Sequence, residues 1–319
     1  MLNGYRKALV TGGAGFIGSH IVERLLSLGL DVVSVDNYFA GKEENLAHLH
    51  KYPGFREVRC DVTDYESLKS LFDGVDIVFH EAASKKTICL NDPRRDLEIN
   101  GKGTFNVLEI ARDYGVKKVV HASTGSVYGE AQYVPQDERH PLNPTSYYGV
   151  SKLAGEKYAL AFAHLYDMDV TVLRYFHVYG PRQENSDVGG VVSIFGRKAI
   201  EGNPIVIFGD GTQQRSFTYV QDLVDINLLV ADRPETRGQI YNCASGISVT
   251  VGELAEKVKS YFGKPDLEIR YEDWTPGDIK EFNVSNRKLR ELGFTFGVDF
   301  DTGLAATLDW LKSYLGGRS

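Results

Sequence analysis

Cysteine, methionine and tryptophan are scarce in this chain, at three, two and two among 319 residues. Cys60, Cys89 and Cys243 lie far apart, with no Cys-x-x-Cys pair and no His/Cys cluster. That spacing excludes a disulfide framework and a structural zinc site, so no metal is expected, and it points to a reducing compartment. Positive charge is also short: 36 Lys and Arg against 43 Asp and Glu, a net charge of −7. No basic footprint for nucleic acid is present, and an anionic ligand must be met by a few locally placed cations. No apolar run is long enough to span a bilayer, and no signal-peptide pattern precedes the first strand-like segment. The expectation is a cytoplasmic protein that neither crosses a membrane nor binds nucleic acid. Internal repeats and low-complexity tracts are lacking as well.

The chain does have an apolar content of 42%, enough for one large core or two interlocked ones. Ala8-Leu9-Val10 runs into Thr11-Gly12-Gly13-Ala14-Gly15-Phe16-Ile17-Gly18, after which Ile21, Leu25, Leu26 and Leu28 follow a helical period. This reads as strand, glycine turn, helix. Gly12, Gly15 and Gly18 have a spacing that suits a tight turn, close backbone approach to a pyrophosphate, and close packing of helix on strand. The next strand, Asp31 to Asp36, ends in an acid eighteen residues beyond Gly18. A carboxylate there bonds the adenosine ribose hydroxyls and repels a 2′-phosphate, which favours NAD over NADP.

Strand and helix signals then alternate. Strands are expected at Glu57–Cys60, Val75–His80, Lys118–Ala122 and Val170–Phe176, and helices at Leu97–Tyr114 and from Tyr148 to about Tyr166. The pattern predicts an α/β protein with a doubly wound parallel sheet of the Rossmann type over residues 1–176. Residues 220–245 are expected to return to that domain. A smaller mixed α/β substrate lobe is expected over 177–319. Ligands of such sheets lie at the carboxyl ends of the strands, where Asp61, Ala82, Ala83, Lys85, Ser123 and Thr124 fall.

In Tyr147-Tyr148-Gly149-Val150-Ser151-Lys152 a phenol and an ammonium lie one helical turn apart. Tyr147 lacks that spacing to Lys152. A cation beside a tyrosine favours the phenolate, so the pair is a device for moving a proton.

With these residues in hand, the chain resembles the extended short-chain dehydrogenase/reductases, in particular their nucleotide-sugar epimerase and dehydratase branch. The carriers are Thr11 and the Gly12–Gly18 turn, Asp61-Val62, His80-Glu81-Ala82-Ala83, Asn100 with Gly103-Thr104-Asn106, Ser123 to Gly129, Tyr148 to Lys152, Arg174-Tyr175-Phe176, Val178-Tyr179-Gly180-Pro181-Arg182, and Arg215-Ser216-Phe217 with Asp222. The resemblance implies an NAD-dependent enzyme that pairs as a homodimer and acts on a nucleotide-diphosphate sugar, UDP-linked by analogy. It puts the cofactor against Gly12, Gly15, Phe16, Ile17, Asp36, Asn37, Asp61, Val62, Ala82, Ala83, Lys85, Asn100, Ser123, Tyr148, Lys152 and Tyr175. It puts the sugar nucleotide against Thr124, Ser126, His177, Arg182, Arg215 and Phe282. By the same resemblance Lys152 lowers the Tyr148 pKa, and Tyr148, assisted by Thr124, takes the sugar 4-hydroxyl proton as C4 is oxidised.

The segment after the fifth strand bears on the reaction. Dehydratases of this branch carry an acid and a base in a Thr-Asp-Glu run before Val-Tyr-Gly, and related decarboxylases keep the glutamate. Here Gly125 and Ser126 stand in those places. Oxidation at C4 and return to the other face, a 4-epimerisation, is what remains. A dehydratase, or a non-catalytic NAD-binding regulator, is the alternative. His177 stands where relatives carry asparagine, and Thr275 where they carry arginine. Phe282 falls near the position that limits room beside the sugar's C2 substituent, which favours UDP-glucose and UDP-galactose over N-acetylated sugars.

Overall fold

The computed structural model describes residue 2 and residues 4–84, 86–274 and 283–317. Lys85 and Phe282, expected at the cofactor and at the sugar, lie outside the described residues, as does Thr275.

Short β-branched runs give the central strands: β1 (Lys7–Thr11), β2 (Asp31–Asp36), β3 (Phe55–Arg59), β4 (Ile77–His80), β5 (Lys118–Thr124) and β6 (Val170–Tyr175). Both faces of a central parallel strand are covered, so β1, β4 and β5 are almost entirely apolar or buried. All six pair in parallel, in the order β3-β2-β1-β4-β5-β6. Ile240–Cys243 continues the sheet beyond β6. From β1 the chain winds outward to β3 and then resumes on the other side of β1 with β4. The order reverses there, which is where doubly wound sheets bind ligands.

Contacts divide the chain into two units. The first comprises Met1–Gly129, Leu142–Tyr175 and Val224–Tyr241. The second comprises Glu130–Pro141, Phe176–Leu223 and Asn242–Ser319. In the second, Gln214–Tyr219 pairs antiparallel with Ile247–Thr250, and Ile205–Phe208 pairs parallel with Ile269–Glu272. Its own core gathers Tyr179, Phe195, Phe217, Leu254, Phe300 and Leu308. Among the described residues no helix is long and apolar enough to cross a membrane.

Two elements of the first unit differ from the sequence expectation. Leu28, counted on the apolar stripe of α1 (Phe16–Ser27), is the residue just past its end and is exposed. The helix expected at Leu97–Tyr114 is three pieces: Pro93–Leu97, a π-helical stretch Glu98–Gly103, and Thr104–Asp113. Apolar periodicity does not register one wide turn, and wide turns of this kind are frequent at functional sites.

The Tyr147–Tyr166 helix starts where Ser146 accepts a hydrogen bond from the Gly149 N–H. It is anchored by a buried pair, since Arg174 of β6 donates to both oxygens of Glu156 and to the Tyr128 hydroxyl. Arg174 and Glu156 are 1% and 0% exposed. Removing one member of a buried pair costs about 3–5 kcal/mol. Glu156→Ala is therefore expected to destabilise the protein by about that amount, read as a lower urea midpoint with an unchanged slope.

Candidate functional site

At the reversal point the carboxyl ends of β1 and β4 are tied together. Thr11 Oγ1 and His80 Nδ1 are 2.7 Å apart, and the Glu81 N–H donates to the Thr11 carbonyl. Gly12 follows with φ +67°, and a Cβ there would lie 2.8 Å from the Ala82 nitrogen. A Cβ on Gly18 would lie 2.2 Å from the Gly12 carbonyl oxygen. Glycine at these two positions lets α1 and the exit of β4 close on the turn.

Gly15 is the capping residue just before α1, with Phe16 and Ile17 half-buried beside it; the first turn has neither a side-chain cap nor an acid. Its backbone N–H groups and the helix dipole suit a diphosphate. Asp36 is buried and accepts from the Ala14 N–H at 3.0 Å and the Tyr38 N–H at 2.8 Å. Burial pushes its carboxyl up, against those two hydrogen bonds and the Arg59 charge. A carboxylate has about four acceptor positions, which leaves capacity for ribose hydroxyls.

Asp61 is the next acid along the strand ends. Thr63 donates to it twice, Asn37 Nδ2 donates at 2.7 Å, and Arg95 forms an ion pair with it. Burial pushes the carboxyl up, but these donors outweigh it and hold it at about 2. The Val62 carbonyl accepts from Asn106 Nδ2 at 2.9 Å.

Beyond Ala82 and Ala83 the Ser84 N–H donates to Asn100 Oδ1. Asn100 was expected against the cofactor. It is buried, and its Nδ2 donates to Ser84, Asp96 and Ser151, so its side chain is spent on the scaffold. Ser123 is likewise taken up, donating to Glu156 at 2.9 Å.

Tyr148 and Lys152 share one helix face, and Thr124 caps the short turn that also carries Ser126. Thr124 Oγ1 accepts from the Ser126 N–H at 3.2 Å. Here the structure corrects the sequence expectation. Tyr148 was expected to be lowered by Lys152. Instead burial pushes the phenol up to about 12; Thr124 opposes this through a hydrogen bond, and Asp96 and Cys89 reinforce it. The Lys152 ammonium is turned onto the Ala122 carbonyl at 2.5 Å and is 2% exposed. Burial holds it at about 8, against the charges of Glu81, Asp96 and Glu156.

Those three acids were not singled out from the sequence. Glu156 was legible, since Tyr148, Lys152 and Glu156 recur every four residues. Asp96 precedes Asn100 by one helical turn, and Glu81 lies inside a quoted motif. Nothing in their spacing signals burial. Tyr175 of β6 donates to Glu81 Oε1 at 2.8 Å and also bonds Asn227.

In the second unit, His177 and Arg182 have left-handed backbones, with φ +33° and +67°. Non-glycine residues with positive φ cost energy and cluster at binding sites. Histidine tolerates this region better than most non-glycine residues, which suits His177 to its backbone. Arg215 lies on the Gln214–Tyr219 strand and is 7% exposed, its Nη1 donating to the Gln214 carbonyl.

The profile of the NAD dependent epimerase/dehydratase family matches residues 8–244. The chain belongs to that family. Its cofactor is NAD, and the uncapped start of α1 and the acceptor capacity of Asp36 fit it. The family member UDP-glucose 4-epimerase of Mycolicibacterium smegmatis is 36% identical over 313 residues, covering 96% of this chain and 99% of that one. A solved UDP-glucose 4-epimerase of Thermotoga maritima, with UDP-glucose, superposes with a TM-score of 0.91 at 36% identity, covering 97% of this chain and 99% of that one. The UDP-N-acetyl-alpha-D-glucosaminuronate decarboxylase of Bacillus cytotoxicus is 32% identical over 321 residues, covering 96% of this chain. The family relation establishes an enzyme of the epimerase/dehydratase type.

Glu81 gives this family member a pH signature. Burial pushes its carboxyl up to about 7 from 4.5, against the Tyr175 hydrogen bond and the Lys152 charge. Below pH 4.5 the group is protonated in folded and unfolded chains alike and costs nothing. Between 4.5 and 7 the unfolded chain releases its proton first, so stability is lost as pH rises. Glu81→Gln is expected to leave stability unchanged at pH 4 and to raise it by about 2 kcal/mol at pH 8, measured by chemical denaturation.

Proposed function

We propose that the protein is an NAD-dependent nucleotide-sugar 4-epimerase of the UDP-glucose/UDP-galactose type. The observation that carries this reading is the turn beside the catalytic pair. Thr124 is followed by Gly125, which has no side chain, and by Ser126, whose hydroxyl lies 3.3 Å from Thr124 Oγ1. No acid stands there to expel water or to assist loss of a carboxylate. The acids behind the pair are engaged, Glu81 with Tyr175 and Asp96 with Ser84 and Asn100. The epimerase relatives support the reading.

On this reading the first unit binds the cofactor and the second supplies groups for the diphosphate, Arg182, Arg215 and His177 among them. Asp36 holds the adenosine ribose. Tyr148 takes the proton from the sugar 4-hydroxyl and later returns it, with the Thr124 hydroxyl on the same oxygen. Lys152 keeps positive charge beside the base. NAD, when bound, supplies reversible two-electron redox chemistry and, in its oxidised form, a charge that favours the Tyr148 phenolate. The chain is read as a homodimer: Val150, Tyr158 and Leu165 of the Tyr147–Tyr166 helix, and Leu97, are exposed by 53%, 44%, 69% and 56%.

Two measurements test the proposal. In the first, the pure protein is incubated with UDP-glucose, UDP-galactose and their N-acetyl and uronate analogues, and products are followed by NMR. A C4 epimer with no loss of water is expected, formed faster from UDP-galactose than from its N-acetyl analogue. A 4-keto-6-deoxy sugar, or a pentose from the uronate, would replace the reading with a dehydratase or decarboxylase. In the second, Tyr148→Phe is expected to cut turnover by about 10²–10⁴-fold while NAD stays bound. Near-normal turnover would show that another group is the base.

A further inference from the structure

The carboxylate of Asp96 has no role in the chemistry above, yet the local structure is built around it. Asp96 is 1% exposed and lies on Pro93–Leu97. Its Oδ1 accepts from Ser84 Oγ and, at 3.0 Å, from Asn100 Nδ2. Its Oδ2 is buried with no hydrogen-bond partner among the described residues. The same Asn100 amide donates to Ser151 Oγ at 2.9 Å, and Ser151 Oγ donates to the Tyr148 carbonyl at 3.1 Å. Three hydrogen bonds thus connect Asp96 to the turn that carries the proton-transfer pair. A buried carboxylate with one oxygen unmatched is costly unless a nearby charge compensates it.

We propose that Asp96 is a positioning residue for the reaction: its charge sets the field in which Tyr148 and Lys152 handle protons, and its hydrogen bonds through Asn100 and Ser151 hold their helical turn in place. This rests on reading Tyr148 and Lys152 as the proton-transfer pair. A negative charge behind the pair acts on both members in one direction, keeping Lys152 an ammonium and Tyr148 a phenol.

Other groups face the pair. Glu81, at the exit of β4, and Glu156, on the same helix, act on Lys152, and Cys89 acts on Tyr148. His80 on β4 is pushed down to about 3, by burial and then by the Lys152 charge. His121 on β5, stacked on His80, is held well below its ordinary value, again by burial first. Both therefore add no charge near neutral pH. Arg174 on β6 is tied to Glu156, and Tyr175 to Glu81. The second oxygen of Asp96 faces no donor among the described residues, and of the acids named here Asp96 is the one that acts on both members of the pair.

Asp96→Asn keeps the size of the side chain and removes its charge. In the NAD-loaded protein, the Tyr148 titration is isolated as the ultraviolet difference between each protein and its Tyr148→Phe counterpart. The midpoint is expected to move down by about one pH unit at low salt in Asp96→Asn. Both limbs of the pH–rate profile should move the same way. A purely structural role would lower rate or stability and leave the midpoint in place, so an unmoved or raised midpoint overturns the proposal. The titration needs no sugar, so it separates failure of this inference from failure of the epimerase reading. Should Asp96→Asn not fold, Asp96→Glu keeps the charge and disturbs the hydrogen bonds. Reduced turnover at an unchanged midpoint is then expected, and a displaced midpoint would sink the idea.

Discussion

A lysine ammonium buried to 2% exposure is the constraint around which the first unit is arranged. An unpaired charge at that depth would lose its proton or expel itself into water. For Lys152 both are opposed by the bond to the Ala122 carbonyl and by the negative charges of Glu81, Asp96 and Glu156. Those acids arrive from the exit of β4, from Pro93–Leu97 and from the lysine's own helix. Each in turn has its own partners, and the Arg174 pair with Glu156 locks β6 to the helix. The sheet, the helix and the connecting turn each contribute a charged group to the surroundings of this one buried ammonium.

Much of the cofactor side was legible because it depends on backbone geometry that local sequence dictates. Gly12 and Gly18 are glycines because a Cβ at either would strike backbone, and Asp36 lies at the end of a strand whose apolar run is unmistakable. The strands β1 to β6 and the Tyr147–Tyr166 helix follow from periodicity and from the Ser146 cap. The proton-handling side was legible only in outline. The spacing of Tyr148 and Lys152 put them on one face but carried no information on depth. Burial, which depends on the whole unit, decides that the phenol is pushed up rather than down.

The same distinction explains Asn100 and Ser123. Each was expected at the cofactor by family resemblance, and each has its side chain spent on neighbouring protein groups. Their neighbours Ser84, Ser151 and Glu156 come from distant parts of the chain, and no single-sequence pattern reports such pairings. His177 and Arg182 show the converse. Their residue types gave only a hint of a diphosphate site, whereas their left-handed backbones mark them independently as strained positions that the surrounding chain must enforce.

The π-helical stretch Glu98–Gly103 has a consequence for how this region can change. Consecutive residues on Pro93–Leu97 face opposite duties, Arg95 reaching Asp61 and Asp96 reaching Ser84 and Asn100. Inserting or deleting one residue in an α-helix rotates everything beyond it by about 100°. A wide turn absorbs one extra residue without that rotation, so Thr104 and Asn106 beyond it still meet His80 and the Val62 carbonyl. The wide turn is thus the one place in this segment where a single residue can be lost with both flanking pieces keeping their faces, whereas the same loss within Pro93–Leu97 or Thr104–Asp113 would rotate Arg95 and Asp96 relative to Thr104 and Asn106 by about 100°.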